Sequence, residues 1–166
     1  MIDLRTYSLP FCDGGEVSTD ADDVFRLRRQ LQLAQGIIVG TPVYHGSYSG
    51  VLKNAIDLMG FREFEGKMMG LVGVSGGRTG AVNALDSLRA VGRVLHAWVI
   101  PEQVSIPEAW KVFDAEGNLK DTDLENRLLE VGRQVVRFAY LHTSEHAQEF
   151  LKMWETAPPN PGAVNR

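Results

Sequence analysis

The sequence predicts an α/β fold in which a parallel β-sheet is sandwiched by helices. Two runs of almost uninterrupted apolar residues, 37–40 and 68–74, are typical of strands that are buried on both faces. Before, between and after these runs, apolar residues recur at the three- and four-residue spacing of amphipathic helices. Strands that alternate with helices in this way indicate a parallel sheet with helices on its faces.

Length, charge and composition narrow the class of protein. A chain of 166 residues with 44% hydrophobic and 23% charged residues is typical of a single globular domain. We expect that domain to span residues 1–155, with a loose Pro- and Gly-containing tail over 156–166. A net charge of −4 without a basic stripe argues against nucleic acid, and no apolar run approaches the roughly 20 residues that cross a bilayer. One cysteine and an N-terminus without a signal-peptide pattern favour a cytoplasmic protein.

The first elements follow from local pattern. Residues 2–4 are predicted as a short strand that leads into a loop at Pro10. An acidic, solvated loop over 13–23 precedes a helix that ends near Gln35, and its last carboxylates lie where a helix N-terminus favours negative charge. The buried strand 37–40 comes next and ends in small and hydroxylic residues.

The remainder of the chain repeats the alternation of strand and helix. The predicted elements are a helix that begins at Gly50, the strand 68–74, a helix from Val82 to Gly92, an extended segment 94–106, a turn at 113–119, and helices over 124–141 and 143–154.

Two loops, each after a buried strand, carry the candidate chemistry. Because parallel strands end at the same edge of a sheet, the loops 41–50 and 75–80 are expected to lie together, where open α/β sheets bind ligands. The second loop contains three glycines that permit close backbone approach, a planar cation in Arg78, and Thr79 as a potential cap of the next helix. Neither loop has the P-loop or dinucleotide-binding glycine pattern. The first loop offers hydroxyls and flat rings to a planar polar ligand, on Thr41, Tyr44, His45, Ser47, Tyr48 and Ser49.

The two loops together resemble a known family. The stretches TPVYHGSYSGVLKNAIDLMG and GVSGGRTG strongly resemble the NAD(P)H-dependent FMN reductases of the flavodoxin-like fold, over about residues 2–141. The residues that match the family pattern are Pro42, Tyr44, Gly46, Ser47, Gly50, Leu52, Lys53, Asn54, Ala55 and Asp57, then Ser75, Gly76, Gly77 and Gly80.

The resemblance implies FMN and NAD(P)H as cofactors and a role for each loop. NAD(P)H would stack on the exposed ring face and deliver hydride to the flavin, and a small-molecule acceptor (free flavin, quinone, azo compound or metal oxyanion) would then take its place. The first loop would contact the isoalloxazine ring and ribityl chain, and the second the pyrimidine end of the flavin. The flavin carries the redox chemistry, so no catalytic side chain is expected. His142 and His146 share one helix face, but without a third ligand we expect no metal site. The implied cofactor-binding residues are Pro42, Tyr44, His45, Gly46 and Ser47 in the first loop and Ser75, Gly76, Gly77 and Arg78 in the second.

The sequence departs from the family at its start. Such proteins begin with a strand and a Gly-Ser-x-Arg…Ser loop that cradles the FMN phosphate, and this chain contains no such segment; residues 2–4 match the second family strand. We therefore expect a flavodoxin-like sheet whose first, central strand is absent, with unpaired neighbours and exposed apolar helix faces. Three explanations are open: a start placed too late or an incomplete chain, which we favour; a gap filled by a partner; or a repurposed relative without flavin.

Several features also have simpler explanations. The resemblance implies that Lys53 and Asn54 hold the first loop, but Lys53 and Asp57 also have the i,i+4 spacing of a simple ion pair on a helix surface. Arg78 would serve equally well in a surface salt bridge. Relatives commonly form dimers or tetramers, so we expect a homodimer or homotetramer. Two other functions remain open: a flavodoxin-type electron carrier, and a flavin-free interaction protein.

Overall fold

A four-stranded sheet organises the molecule. The computed structural model describes residues 1–15 and 21–158. The sheet has the order β2-β1-β3-β4 and is parallel except for β2, which forms a hairpin with the end of β1. The parallel α/β fold is therefore as predicted. The strands are β1 (Gly36–Tyr44), β2 (Ser47–Tyr48), β3 (Met68–Val74) and β4 (Trp98–Ile106).

The helices lie where the apolar spacing predicts them. Helix α4 continues two residues past Gly92, the predicted end. The four-residue helices α3 and α5 were not predicted, because one turn is too short to show a helical period. The helices are α1 (Asp22–Leu33), α2 (Gly50–Asp57), α3 (Phe61–Phe64), α4 (Val82–Val94), α5 (Ala109–Val112), α6 (Thr122–Thr143) and α7 (Glu145–Glu155).

Two apolar cores cover the two faces of the sheet. One core joins α1, α2 and α4 to the sheet, and its fully buried side chains include Leu27, Met69 and Leu85. The other packs α6 against the opposite face. Here Gly70 is needed for close packing: a Cβ on it would lie 2.8 Å from methyl carbons of both Val131 and Val135 on α6. The cores hold β1 and β3 side by side and so fix the edge from which the two candidate loops emerge.

The prediction of a strand at residues 2–4 is wrong. The chain forms a short 3-10 helix, Leu4–Thr6, and the Asp3 carboxylate accepts hydrogen bonds from the backbone N–H and the guanidinium of Arg5. These local bonds replace the ladder bonds of a strand, since no strand among the described residues lies beside this segment.

An open strand edge lies next to this N-terminal segment. Within residues 1–15 and 21–158, no strand pairs with β1 from Gly36 to Pro42 on the side away from β3. An apolar groove runs there, and Ile38 is 52% exposed. The unpaired edge of β1 is as expected, whereas the strand expected on the other side of the gap is not formed. The groove is lined by Ile2, Leu4, Leu27, Leu31, Ile37, Ile38, Val39, Gly40, Leu52, Ala55, Ile56, Met59 and Phe64.

Two predictions fall partly outside the described residues. Positions 16–20 of the acidic loop and 159–166 of the expected tail belong to the part of the chain that the structure does not describe. Within the described part, no helix has the length and apolar character to cross a membrane.

Candidate functional site

The parallel register of β1 and β3 brings the two predicted loops together. Pro42 lies directly beside Val74, and Thr41 beside Gly73. The chain leaves β1 and β3 at the same end of two adjacent strands, so the turn after Tyr44 and the loop after Val74 share one edge of the sheet. This is the edge on which open parallel sheets bind ligands.

The first loop is a tight β-hairpin rather than the open loop expected from 41 to 50. Tyr44 pairs with Ser47, and His45 and Gly46 between them have φ values of 52° and 83°. Positive φ at both central residues is the geometry of the two-residue turn that matches strand twist. Gly46 adopts this geometry without cost, whereas a β-carbon makes it unfavourable for His45. The turn leaves Tyr44 61% exposed and places His45, Gly46 and Ser47 at the surface.

Two residues predicted to face a ligand are instead buried in the base of the hairpin. Thr41 and Ser49 are 2% and 5% exposed. The hydroxyl oxygen of Thr41 accepts a 3.0 Å hydrogen bond from the backbone N–H of Ser49, and the Ser49 hydroxyl accepts one of 3.2 Å from the N–H of Leu52. Ser49 is thus the N-cap of α2, as a helix beginning at Gly50 requires. Both hydroxyls form hydrogen bonds within the protein and so hold the shape of the loop.

The second loop presents its glycines and Arg78 to the surface. The Ser75 hydroxyl accepts a 3.1 Å hydrogen bond from the N–H of Gly77, and the Gly77 carbonyl accepts one of 3.3 Å from Gly80. A Cβ at Gly76 would meet no atom within 4 Å, and one at Gly77 would meet only the Ser75 hydroxyl, at 3.7 Å. The space over these glycines is therefore open to a ligand.

Arg78 lies at the rim of this loop. Its side chain is 88% exposed, and its Nε lies 3.7 Å from a carboxylate oxygen of Glu108. The surface ion pair that was the simpler explanation for Arg78 is thus present. At this exposure it leaves the guanidinium accessible to a polar ligand.

The prediction that Thr79 caps the following helix is wrong. Helix α4 begins at Val82 with Ala81 as its N-cap residue, and no side chain of the loop caps it. The N–H of Ala81 instead donates a 2.7 Å hydrogen bond to the hydroxyl of Ser105, which lies at the end of β4. This acceptor comes from a residue 24 positions away because Gly73 and Ser105 are paired across β3 and β4.

Helix α2 carries the predicted ion pair and a further tether. Lys53 Nζ lies 2.6 Å from the carboxylate of Asp57, which raises the pKa of the lysine. Asn54 does not bind the hairpin: its amide donates to the Pro10 carbonyl at 2.9 Å, and its oxygen accepts from the N–H of Cys12 at 2.9 Å. Asn54 thus fastens the segment 10–12 to α2.

Sequence reasoning missed the residues that support the second loop from behind. Ser105 and Glu108 both contact it, but Ser105 was predicted only as part of an extended segment and Glu108 was not singled out. No local pattern marks either residue, because each contact depends on how β4 lies beside β3. The described residues contain no group of three or more His, Cys, Asp or Glu side chains arranged to hold a metal ion.

The family of the chain follows from its match to known sequences. A family model described as NADPH-dependent FMN reductase matches residues 1–111, a range that includes both loops. The chain belongs to this family. The residues predicted to bind flavin lie in the hairpin 44–47 and the loop 75–80, apart from Pro42, which lies just before the hairpin.

Individual relatives carry reductase names. An NADPH azoreductase from Bacillus sp. (strain OY1-2) is 38% identical over 104 residues, which are 63% of this chain and 58% of that protein. The NADPH-dependent FMN reductase ArsH from Shigella flexneri is 33% identical over 129 residues, 75% of this chain and 50% of that protein. An FMN-dependent NADPH-azoreductase from Staphylococcus aureus (strain USA300) is 34% identical over 122 residues, which are 72% of this chain and 64% of that protein. The chain thus spans about half to two thirds of the length of these relatives.

Solved structures have the same fold. FerB, a flavoenzyme NAD(P)H:(acceptor) oxidoreductase from Paracoccus denitrificans, matches with a TM-score of 0.63 and 24% identity over 81% of this chain and 77% of that one. An FMN-dependent NADH-azoreductase from Bacillus anthracis str. Ames Ancestor, in complex with FMN, matches with a TM-score of 0.54 and 17% identity. The match covers 83% of this chain and 80% of that one. At these identities the likeness establishes the fold, which is the flavodoxin-like α/β fold of FMN reductases.

Proposed function

We propose that the chain is the flavin-binding part of an FMN-dependent NAD(P)H oxidoreductase. The observation that carries the proposal is the register of β1 and β3, which brings the hairpin 44–47 and the glycine loop 75–80 to one sheet edge. Bound FMN would supply the redox chemistry by accepting a hydride from NAD(P)H and passing two electrons to an acceptor. The protein residues would bind and orient the ring.

The exposed residues of the two loops fit a flat, polar ring. The hairpin offers the ring of Tyr44, which is 61% exposed, beside the exposed backbone of Gly46 and Ser47. The second loop offers open space over Gly76 and Gly77, so a ring can approach the backbone closely there. We assign Pro42, Tyr44, His45, Gly46 and Ser47 to the ring and ribityl side, and Ser75, Gly76, Gly77 and Arg78 to the pyrimidine end.

His45 has a positioning role in this proposal. Its backbone forms the turn with Gly46, and its side chain is exposed beside the ring position. Arg78 would donate hydrogen bonds to the carbonyl oxygens of the pyrimidine end, for which its planar guanidinium is suited. The proposal gives neither side chain a proton to move, because NAD(P)H supplies the hydride and solvent supplies the proton that an acceptor takes up with it.

An FMN titration tests the binding proposal. The change in FMN fluorescence as protein is added gives the dissociation constant for the wild type and for the variants Tyr44→Ala and Gly77→Val. We expect saturable binding by the wild type and at least tenfold weaker binding by both variants. Phe61→Ala in α3, which lies before β3 and so at the opposite end of that strand from the loops, is the matched control and should bind as the wild type does. Absence of FMN binding by the wild type, or unchanged binding by both loop variants, contradicts the site.

An activity assay distinguishes the proposal from the two other candidate functions. NAD(P)H oxidation, followed by absorbance with an azo dye, a quinone or free FMN as acceptor, is expected only of a reductase. A flavodoxin-type carrier would bind FMN without oxidising NAD(P)H, and a flavin-free interaction protein would do neither. We propose azo compounds as the first acceptor class to test and NADPH as the first donor, because two of the relatives above are named NADPH azoreductases.

We propose further that the protein is a cytoplasmic homodimer or homotetramer. The support is the apolar surface of α6 and α7, where Val136, Tyr140, Phe150 and Trp154 are each at least 66% exposed. Light scattering coupled to size-exclusion chromatography tests the assembly, and fractionation of cells tests the location. A monomeric mass at all concentrations contradicts the first statement, and recovery with membranes or in the medium contradicts the second.

A further inference from the structure

The glycine loop is held from behind by the segment 105–109 of β4 and the turn that follows it. The N–H of Ser75 donates to the Ile106 carbonyl at 2.8 Å, and the N–H of Ala109 donates to the Ser75 carbonyl at 3.0 Å. The N–H of Glu108 donates to the Gly77 carbonyl at 3.2 Å. The start and the middle of the loop are thus tied by backbone groups that no side-chain substitution removes.

The far end of the loop is held by the backbone hydrogen bond from Gly80 to Gly77 and, beyond it, by one side chain from another strand. Ser105 accepts the 2.7 Å hydrogen bond from the N–H of Ala81, the first residue of the loop's exit into α4. Ala81 is 1% exposed, so water cannot replace this acceptor. Gly80 turns the chain at a φ of 71°, and a Cβ on it would lie 2.5 Å from the Ser105 hydroxyl oxygen. The hydroxyl and the bend at Gly80 are therefore in direct contact.

We propose that Ser105 is a positioning residue for the glycine loop: its hydroxyl fixes the bend at Gly80 and, through it, the placement of Gly76 and Gly77 at the ligand edge. The inference rests on the proposed function in so far as the ligand is FMN. The physical reason is that an N–H left without an acceptor in a buried place is unfavourable, so the bend moves toward a new acceptor when the hydroxyl is lost. A displaced bend changes the loop that the bend terminates, while β3 and β4 keep their ladder.

Limited trypsin digestion tests the inference without any flavin. The peptide bond after Arg78 lies in the loop and Arg78 is 88% exposed, so its cleavage rate reports how firmly the loop is held. Ser105→Ala and the nearly isosteric Ser105→Cys, a weak acceptor, should be cut there at least fivefold faster than the wild type. Ser105→Thr, which retains a hydroxyl, should restore slow cleavage. Ser87→Ala is the control, since the Ser87 hydroxyl bonds only within its own helix, to the Asn83 carbonyl.

Flavin titration of the same four variants gives the second readout. Ser105→Ala and Ser105→Cys should weaken FMN binding about tenfold, Ser105→Thr should recover most of it, and Ser87→Ala should leave it unchanged. Wild-type rates of cleavage after Arg78 in Ser105→Ala and Ser105→Cys overturn the inference, even if these variants melt at a lower temperature. If the wild type binds no FMN, the proposed function fails, whereas the digestion result still decides the role of Ser105.

Discussion

The Thr41 hydroxyl oxygen accepts a 3.0 Å hydrogen bond from the N–H of Ser49 across the base of the hairpin that carries Tyr44. Both residues are almost fully buried, and Ser49 in turn caps α2 through the N–H of Leu52. One side-chain oxygen thereby joins the strand, the hairpin and the helix that form the first loop of the site.

Replacing Thr41 with valine therefore tests the hairpin. Valine keeps the shape but has no acceptor, so the buried N–H of Ser49 loses its partner, and we expect the free energy of unfolding to fall by about 1–3 kcal/mol. Urea unfolding measures this loss, and FMN titration should show weaker binding because the hairpin carries Tyr44. Thr143→Val is the control, since that hydroxyl bonds only to the Ala139 carbonyl one turn earlier in α6. A Thr41→Val protein as stable as the control variant would show that the bond is dispensable.

Lys67 is expected to stabilise the end of α1. Its ammonium donates hydrogen bonds to the carbonyls of Leu31, Gln32 and Ala34 at the C-terminal end of α1, where carbonyls lack the N–H partners of the helix interior. Lys67→Met should lower the free energy of unfolding by about 1–3 kcal/mol, because charged donors contribute more than neutral ones. Lys152→Met on the exposed helix α7 is the matched control and should change stability little.

The same lysine predicts a pH dependence. Burial lowers the pKa of Lys67 below its ordinary 10.5, against a smaller opposite effect from Glu63. Between the lowered pKa and 10.5 the unfolded chain binds more protons than the folded one, so the free energy of unfolding rises with pH. Urea unfolding at several pH values approaching 10.5 should show this rise in the wild type relative to Lys67→Met. A constant difference between the two proteins over that range would contradict the lowered pKa.

Arg89 supports an irregularity in β4. Between the pairs Met69–Val99 and Leu71–Gln103, β4 contains extra residues, and Arg89 on α4 donates to the carbonyls of Ile100 and Pro101 at 3.0 and 2.7 Å. Lysine cannot reproduce the fork of donors, so Arg89→Lys should reduce the free energy of unfolding by about 1–2 kcal/mol. Arg93→Lys on the exposed side of α4 is the control. Equal urea midpoints for the two variants would contradict the role given to the fork.

The open edge of β1 predicts association between molecules. Apolar edge strands pair with other chains, and an inward charge on the edge prevents this. We expect Ile38→Lys to reduce concentration-dependent self-association measured by sedimentation velocity. Leu33→Lys, a similar change at a residue that is 76% exposed at the end of α1, should not. Association that persists equally in both variants would place the contact elsewhere on the surface.

Much of the fold was predictable because it depends on local pattern. The apolar runs of β1 and β3 and the amphipathic spacing of α4 and α6 each reflect burial against a single sheet. The strand at residues 2–4 was wrongly predicted because a strand needs a neighbour, and the hydrogen bonds of Asp3 to Arg5 are satisfied within the segment itself.

The candidate site was predictable as a place and less so as a set of contacts. The loop sequences and the parallel order of strands predicted that 41–50 and 75–80 would meet, and the pair Pro42–Val74 confirms it. The burial of Thr41 and the hairpin turn at His45 were not predicted, since a hydroxyl or a histidine looks the same in sequence whether it faces solvent or protein.

The sequence by itself determined the family, the α/β alternation and the two loops, because these depend on residue types and spacings along the chain. Tertiary structure alone decided which residues support the loops. Ser105 rather than Thr79 accepts the N–H of Ala81, and Glu108 rather than a loop residue accompanies Arg78. The reason is that β4 pairs with β3 in a register that brings Ser105 beside Ala81 and Glu108 beside Arg78, which no local pattern records.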